Sequence, residues 1–492
     1  MLNYLDLIQI IAIFAAVNNF TLLILYYMKN FIAMTMMVLC LTACTTQENP
    51  LVKEVIGGKV QGIPSETPGV VVYKGIPFAA PPVGELRWKA PQPVIPWDTV
   101  LIADHFGPIS FQPPHVAGPD SAVINKYGDV DYVKEFFSEG DPEMSEDCLY
   151  LNIWKPADAK KGDKLPVALW IHGGAFIAGF GYEKEFDGDA YAKRGVILVT
   201  INYRLGAFGF LAHPELSAEN PDHISGNYGM LDQIKALDWT RENIANFGGD
   251  PDNITVFGQS AGAMSVRNLL CSSLTKGKIA KAIIQSGGAI SPDGNDGMGA
   301  ASLSDYEQLG KTLMGELSLE EMRGMSYQQL QEVIGRFTSA HNMPFLMLQP
   351  NVDGKVLEGG LAACIEKDFV PHIPIMMGCT LDDMEFTRMG EPYAYLASRL
   401  AEKGKAPYVY EFRRRLPGNG SGAFHSSELW YVFNTVKRCW RPLGEADERL
   451  SERMVDYWTN FMKAGNPNGS GLPEWRACTN GMADVMTFDI EK

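Results

Sequence analysis

The sequence predicts an α/β protein with a mostly parallel central sheet and helices on both faces. Several apolar, β-branched segments show no alternation, which is expected for strands buried on both faces of a sheet. Helical patterns lie between them, and a strand–helix–strand repeat is typical of a parallel sheet covered by helices. The predicted strands cover residues 165–174, 195–204, 254–260, 282–288, 373–380 and 406–412.

One predicted helix illustrates the pattern between these strands. Residues 230–247 place four apolar side chains on one helical face. The helix is expected to end at Gly248-Gly249, because glycine stops helices readily. The four apolar residues are Leu231, Ile234, Leu237 and Ile244.

The bulk composition excludes several classes of function. The chain has 492 residues, of which 46% are hydrophobic and 20% charged, as in ordinary globular proteins with a sizeable core. The formal net charge is −16. This charge argues against a nucleic-acid partner and against electrostatic binding to anionic membranes, since both require lysine and arginine patches.

The cysteines do not suggest a metal site. The chain has 8 cysteines, with no CxxC pair and no Cys/His grouping at zinc-ligand spacing. We therefore expect no structural metal. Free buried thiols are favoured, although an exported protein could pair some of them.

Residues 1–44 are predicted to be a targeting segment. Residues 28–44 combine a basic start, a short apolar stretch and small residues before Cys44, which are the features of a secretory signal. The ending resembles a bacterial lipobox, in which the cysteine is lipidated and becomes the first residue of the mature protein. Residues 45–53 are polar and suit a flexible tether. The prediction is an exported, membrane-anchored lipoprotein, periplasmic or at the cell surface.

The first 27 residues are interpreted as an over-long gene start, with translation beginning at Met28. They contain further apolar runs but no basic residue. The alternative is a transmembrane anchor over residues 20–43. It is disfavoured because it would bury Lys29 within the membrane at a cost of about 3 kcal/mol.

A serine flanked by glycines follows the predicted strand at residues 254–260. The sequence Gly258-Gln259-Ser260-Ala261-Gly262 would force the serine into a strained turn that projects its hydroxyl from the sheet. Ligands of such sheets bind beyond the carboxyl ends of the strands. Ser260 is therefore a candidate nucleophile, with a chance Gly/Ser loop as the alternative.

A second glycine-containing turn follows the strand at residues 165–171. In the segment His172-Gly173-Gly174-Ala175-Phe176, small residues let backbone N–H groups approach a reacting oxygen closely. On its own, this segment could equally be a plain glycine turn. Its order before the serine motif and its position at a strand end favour an oxyanion hole.

In sheets of this kind, a catalytic serine is followed along the chain by its acid and then by its histidine. Only three of the 8 histidines follow Ser260: His341, His372 and His425. His341 lies in a polar helical region, and His372 precedes a predicted strand, away from the expected site. His425 follows the strand at residues 406–412 by a glycine-rich loop, so it is the candidate base.

The acid is ambiguous from the residues alone. The strand at residues 373–380 runs into three carboxylates, Asp382, Asp383 and Glu385. A loop with several acidic residues is usually just solvated, so the local pattern does not choose among them.

Taken together, these residues resemble a type-B carboxylesterase, the cholinesterase/carboxylesterase family of α/β-hydrolases. The resemblance extends from about residue 54 to residue 489, and it implies an α/β-hydrolase fold with one catalytic domain over residues 54–492. Six segments carry it: GKVQG (58–62), YKGIPFAAPPVGELRW (73–88), SEDCLYLNIW (145–154), NYRLGAFGFL (202–211), GNYGMLDQIKALDWTRENIANFGGDP (226–251) and YWTNFMKAGNPNG (457–469).

The resemblance assigns a role to each part of the candidate triad. Ser260 matches the nucleophile and His425 the general base. Relatives carry a glutamate as the acid where this chain has Asp383, with Asp382 and Glu385 as alternatives. Aspartate is one methylene shorter, so the acid loop is expected to approach the histidine more closely.

Other family positions also carry over. The backbone N–H groups of Gly174, Ala175 and Ala261 match the oxyanion hole. Arg87 and Glu146 match a structural ion pair.

The chain departs from the family at three places, the first being the acid loop, where Asp383 replaces glutamate and Met384 replaces glycine. Cys148 matches a disulfide cysteine, but Ser110 stands at its partner's position, so that bridge cannot form. The interval between acid and histidine is shorter than in relatives. Apart from these departures, residues 113–144 look like a polar insertion that we expect to border the mouth of the active-site gorge and to influence substrate choice.

The resemblance implies a serine hydrolase that cleaves carboxylic esters through an acyl-enzyme, with a small-molecule ester substrate and no cofactor. Hydrolysis of amides, thioesters or acetylated sugars is the alternative within enzymes. A non-catalytic binding module is the alternative from another class, disfavoured because Ser260 and His425 are both present. The physiological substrate and the oligomeric state are not indicated.

Overall fold

The computed structural model describes residues 3–42, 49–114, 132–287, 289–290, 301–342, 348–384, 389–418, 420–479 and 484–490. The chain divides into two compact units, Met1–Val52 and Lys53–Lys492.

The first unit is dominated by one helix, α1, over Tyr4–Thr42. It continues through Asn18 and Asn19, so these residues interrupt the apolar pattern but not the helix. The stretch Tyr4–Met36 is long and apolar enough to cross a membrane, with a mean hydropathy of 2.1. A signal sequence near an N-terminus has the same character. The predicted lipidation residue, Cys44, lies outside the described residues.

The second unit contains thirteen strands in the described part of the chain, arranged in a ten-stranded main sheet and a small three-stranded sheet. The strands are β1 (Val52–Val55), β2 (Gly58–Gln61), β3 (Ile63–Pro64), β4 (Val70–Pro77), β5 (Val100–Ile102), β6 (Tyr150–Pro156), β7 (Leu165–Ile171), β8 (Ile197–Ile201), β9 (Gly249–Gln259), β10 (Lys281–Gln285), β11 (Ile375–Thr380), β12 (Tyr408–Phe412) and β13 (Met486–Phe488).

The main sheet has the strand order β13-β12-β11-β10-β9-β7-β8-β6-β4-β3. The strands from β13 to β8 pair in parallel, which confirms the predicted mostly parallel sheet. All six predicted strands are present. The sequence analysis missed the antiparallel pairs at one end of the sheet, formed by β3, β4, β6 and β8. Strand direction depends on long-range pairing, which the local apolar pattern does not encode.

Helices connect the strands. After α1 the described helices are α2 (Tyr132–Phe136), α3 (Asp189–Lys193), α4 (Gly206–Phe210), α5 (Pro214–Glu219), α6 (Tyr228–Asn243), α7 (Ala261–Leu270), α8 (Leu303–Met314), α9 (Leu319–Gly324), α10 (Tyr327–Ala340), α11 (Leu361–Glu366), α12 (Glu391–Glu402), α13 (Leu429–Val432) and α14 (Glu445–Ala464).

The helix predicted over residues 230–247 is α6 followed by one 3₁₀ turn, Ile244–Phe247. It starts two residues earlier than predicted. The turn ends at Gly248, whose φ of 96° is left-handed, the conformation that glycine adopts without a steric penalty. Of the four predicted apolar residues, Leu231 is only half-buried.

An aromatic core fixes the sheet against the helices. The ring of Trp170 on β7 packs on Phe257 of β9 at 4.8 Å between ring centroids, and on Phe433 at 4.9 Å. From α14, Trp458 donates a hydrogen bond through its indole N–H to the Gln285 side chain at 3.2 Å. The parallel strands therefore present their carboxyl ends along one edge of a rigid layer, where ligands of such sheets bind.

Candidate active site

Ser260 occupies the sharp turn between β9 and α7. Its φ of 57° and ψ of −125° are a strained conformation for a residue with a side chain. The turn is fixed by the Ser260 N–H, which donates to the carbonyl oxygen of Gln285 on β10 at 2.8 Å. Between Ile254 and Ser272, Ser260 is the only residue that is not buried. The fold thus presents one hydroxyl at the surface of an otherwise buried layer.

The glycines around Ser260 are required by close backbone approach. A Cβ added at Gly262 would overlap the carbonyl oxygen of Ile171 on β7. A Cβ added at Gly258 would press on the backbone of Gly262. Since no larger residue fits at either position, the glycine spacing seen in the sequence is a packing requirement of this turn.

His425 and Asp383 come together from the loops that follow β12 and β11. Nδ1 of His425 lies 2.6 Å from Oδ1 of Asp383, and both side chains are buried. The Asp383 carboxylate also accepts hydrogen bonds from the backbone N–H of Thr380 at 3.2 Å and of Met384 at 2.7 Å. The shorter aspartate therefore reaches the imidazole directly.

The surroundings of His425 raise its pKa above that of an ordinary histidine. Burial lowers the pKa of His425, but the charge of Asp383 and its hydrogen bond, assisted by Glu428, raise it more, so the net direction is upward. The amide nitrogen of Gln259 lies 3.2 Å from Nε2. An amide N–H can only donate, so Nε2 accepts and the ring proton of the neutral form faces Asp383.

In the part of the chain that the structure describes, Ser260 Oγ makes no hydrogen bond to His425. The side-chain amide of Gln259 contacts Nε2 of His425 instead. Catalytic hydrogen bonds are often long or misaligned in unliganded enzymes and tighten when substrate binds. Gln259 immediately precedes Ser260, so the residue that contacts the imidazole is the chain neighbour of the candidate nucleophile.

The loop after β7 lies against the serine turn. A Cβ placed on Gly173 would sit 3.2 Å from Cβ of Ser260 and 2.8 Å from the carbonyl oxygen of Gln259. Three consecutive residues then have positive φ: Gly174 at 96°, Ala175 at 55° and Phe176 at 62°. Such a run turns successive N–H groups toward one side.

The three predicted oxyanion donors are free in this part of the structure. The N–H groups of Gly174, Ala175 and Ala261 donate to no other described residue. Ala261 is the first residue of α7, where the helix dipole adds positive potential. These N–H groups could therefore donate hydrogen bonds to an anionic oxygen without breaking a bond to another described residue.

The geometry distinguishes the two candidate acids that the structure describes, Asp382 and Asp383. Asp382 has other partners: it accepts hydrogen bonds from Nη2 of Arg415 at 2.8 Å and from the N–H of Ala423 at 2.9 Å. Glu385 lies outside the described residues. Asp383 is thus the carboxylate that contacts His425.

The sequence analysis missed a second buried carboxyl group, Glu428, three residues after His425. Burial, followed by the charge of Asp383, raises the pKa of Glu428 to about 7. The hydroxyl of Ser286 donates to its Oε1 at 3.3 Å. No local sequence pattern marks Glu428, and only the fold reveals its burial.

The other histidines after Ser260 lie elsewhere. His341 caps the exposed end of α10, and His372 pairs with Asp368 at 3.3 Å on the surface before β11. Neither contacts the residues around Ser260.

The family positions outside the site also have clear partners. Nε of Arg87 donates to Glu146 at 2.7 Å, so the expected ion pair is formed. Cys148 is buried with a free thiol, and Ser110, the residue that replaces its expected disulfide partner, is buried too. Within the described ranges, no group of three His, Cys, Asp or Glu side chains is arranged to hold a metal ion.

Comparison with known proteins identifies the family of the chain. The family model described as the carboxylesterase family matches residues 49–391 and 388–492. Para-nitrobenzyl esterase of Bacillus subtilis is 33% identical over 489 residues, which cover 88% of this chain and 94% of that protein. Carboxylesterase 1C of Rattus norvegicus is 31% identical over 87% of this chain and 88% of its own length. Fumonisin B1 esterase of Sphingopyxis macrogoltabida is 37% identical over 69% of this chain and 58% of that protein.

Solved structures give the same result for the fold. A thermophilic PNB esterase superposes with a TM-score of 0.75 at 29% identity, covering 90% of this chain and 96% of the other. A carboxylesterase of Geobacillus stearothermophilus superposes with a TM-score of 0.70 at 32% identity, covering 89% and 96%. The chain therefore belongs to the carboxylesterase family, has the α/β-hydrolase fold and is a serine-type carboxylic ester hydrolase.

Proposed function

We propose that Ser260, His425 and Asp383 are the catalytic triad of this esterase. The observation that carries the proposal is the 2.6 Å hydrogen bond between buried His425 and Asp383, next to the strained turn of Ser260. A nucleophile, a base and an orienting acid from three separate loops are the parts that acyl transfer requires.

In the proposed mechanism, Nε2 of His425 exchanges its contact with Gln259 for the Ser260 hydroxyl as substrate enters. The imidazole removes the hydroxyl proton while Oγ attacks the ester carbonyl, and Asp383 stabilises the imidazolium that forms. His425 then gives the proton to the leaving alcohol. Water attacks the acyl-enzyme by the same route and releases the acid.

We assign oxyanion stabilisation to the N–H groups of Gly174, Ala175 and Ala261. Support comes from their lack of described acceptors and from the run of positive φ values that aims the loop toward Ser260. One such donor contributes about 3 kcal/mol to transition-state stabilisation.

The proposed substrates are small carboxylic esters, as the name of the relative para-nitrobenzyl esterase suggests; that name indicates an aromatic alcohol group and leaves the acyl group open. The test is turnover of p-nitrophenyl esters from acetate to laurate by the full chain in mild detergent, with Ser260→Ala as control. Turnover absent from the control supports the proposal, and the chain-length optimum measures the acyl pocket.

If every ester is inert but a fluorophosphonate still labels Ser260, the triad assignment stands and the substrate is an amide, thioester or acetylated sugar. If neither substrate nor label reacts, the catalytic assignment is wrong.

We further propose that the protein is exported and held at a membrane by lipid on Cys44. The support is the sequence of residues 28–44 and the apolar character of α1. Cys44→Ser should abolish metabolic incorporation of an alkyne-labelled fatty acid and release the esterase into the soluble fraction. Retention of the variant in membranes without label would instead indicate a transmembrane anchor.

A further inference from the structure

The short helix α2 lies against the segment that carries His425. It belongs to the polar insertion at residues 113–144, of which residues 115–131 lie outside the described residues. The aromatic ring of Phe136 stacks on Trp430 at 5.6 Å, and the ring of Tyr132 meets Phe424 edge-to-face at 6.3 Å. The helix thus packs on Phe424, directly before His425, and on Trp430, five residues after it.

A buried carboxylate fixes α2 in this position. Glu135 is 1% exposed, and both of its oxygens accept from Nε of Arg441 at 3.1 Å. The indole N–H groups of Trp430 and Trp440 donate to the same carboxylate at 3.2 and 2.7 Å. Burying a charge is costly unless it is paired and hydrogen-bonded, and Glu135 meets both conditions.

Arg441 extends this connection to the loop that leads to His425. Its guanidinium donates to the carbonyl oxygen of Pro417 at 2.9 Å and to the hydroxyl of Ser421 at 3.2 Å. The carboxylate of Glu135 therefore ties α2, α13 and the loop after β12 into one unit.

Tyr132 makes the direct contact with the histidine. Its hydroxyl donates to the backbone carbonyl of His425 at 3.1 Å. The residue after His425, Ser426, has a φ of 77°, so the backbone is strained at the point where this bond holds it.

We propose that Tyr132 and Glu135 are positioning residues that hold the His425 backbone in place for catalysis. This inference rests on the proposed role of His425. It changes the expected role of residues 132–136: they support the base directly, whereas the insertion was expected to influence substrate entry. Loss of this support should lower kcat more than it raises KM, since a displaced base impairs the transition state and not ground-state binding.

The test compares Tyr132→Phe with Tyr457→Phe in the full chain. Each substitution deletes one tyrosine hydroxyl that donates to a backbone carbonyl, but Tyr457 donates to Pro473 at 2.7 Å, away from His425. We expect Tyr132→Phe to lower kcat for p-nitrophenyl butyrate about tenfold with KM changed less than twofold. Tyr457→Phe should leave both constants unchanged.

A spectroscopic readout separates positioning from general destabilisation. The downfield ¹H NMR signal of the His425 imidazole proton facing Asp383 should shift or broaden in Tyr132→Phe and stay in place in Tyr457→Phe. Glu135→Gln should change kcat and the signal in the same direction. If Glu135→Gln does not fold, the kcat and the imidazole signal of Tyr132→Phe alone test the positioning role.

Wild-type kcat and an unchanged imidazole signal in Tyr132→Phe would overturn the inference. His425→Ala, measured in parallel, distinguishes this result from failure of the proposed triad. If His425→Ala is inactive while Tyr132→Phe behaves as wild type, only the positioning role is lost. If His425→Ala remains active, the triad assignment fails, and the inference fails with it.

Discussion

The serine and the histidine of this site are held in place by different physical means. Ser260 sits between β9 and α7, and its position follows from strand pairing, from the hydrogen bond to Gln285 and from two glycines that admit no side chain. His425 lies on an irregular loop. Its position depends on side chains that are distant in sequence, among them Asp383 and Tyr132.

This difference explains why the serine half of the site, the turn around Ser260, is easier to predict from the sequence than the histidine half, the loop around His425. Contacts within one strand–turn–helix unit leave a short motif, because each residue's neighbours are fixed by chain order. Contacts between distant loops leave no local spacing. The experiments below test whether the two halves nevertheless act as one catalytic unit.

The largest expected effect is the loss of either reacting side chain. Ser260→Ala and His425→Ala should each lower kcat by about 10⁵-fold or more, because the nucleophile and its base act in the same step. The double variant should be no worse than either single one. Kinetics on p-nitrophenyl butyrate with matched melting curves would measure this, and additive losses would show that the two halves act independently.

The next effect distinguishes the adjacent aspartates. Asp383→Asn should lower kcat by about 10⁴-fold, because the amide no longer holds the imidazole in the accepting tautomer. Asp382→Asn is the matched control, with the same change one residue away, on a carboxylate bonded to Arg415 and Ala423. It should lower kcat less than about tenfold. If the two results exchange, the acid has been assigned to the wrong residue.

A smaller loss is expected from the oxyanion loop. Gly174→Ala should lower kcat by about 10²–10³-fold, because the new Cβ would overlap the carbonyl oxygen of Ala178 and displace a donor. Gly195→Ala is the control, since Gly195 also has a positive φ of 74° but open space around it. It should cost stability of about 1 kcal/mol without affecting kcat. Equal kcat losses in both variants would argue against the assigned donor.

The pH profile should show the mildest effect. The base must be unprotonated to act, so kcat rises as pH rises through the pKa of His425. That pKa is raised above the ordinary 6.5, so the acid limb should lie above this value. Removing the Asp383 charge leaves burial as the main influence, so the limb of the residual activity in Asp383→Asn should move to lower pH. An acid limb at the same pH in Asp383→Asn and in the wild type would contradict the electrostatic coupling between Asp383 and His425.

Much of this molecule could be predicted from its sequence, for reasons that particular residues illustrate. Buried parallel strands such as β7 are apolar runs without alternation, and the turn at Ser260 needs glycines at fixed spacing. By contrast, Glu135, Gln259 and Glu428 gave no local signal, because their significance lies in contacts across the fold. The antiparallel strands at the sheet end were missed for the same reason.

The most direct test of the central claim is to label the full chain with a fluorophosphonate and locate the adduct by mass spectrometry. The account predicts one adduct, on Ser260, absent in Ser260→Ala and formed far more slowly in His425→Ala. An adduct on another residue, or full esterase activity in Ser260→Ala, would contradict the assignment of Ser260 as the nucleophile activated by His425.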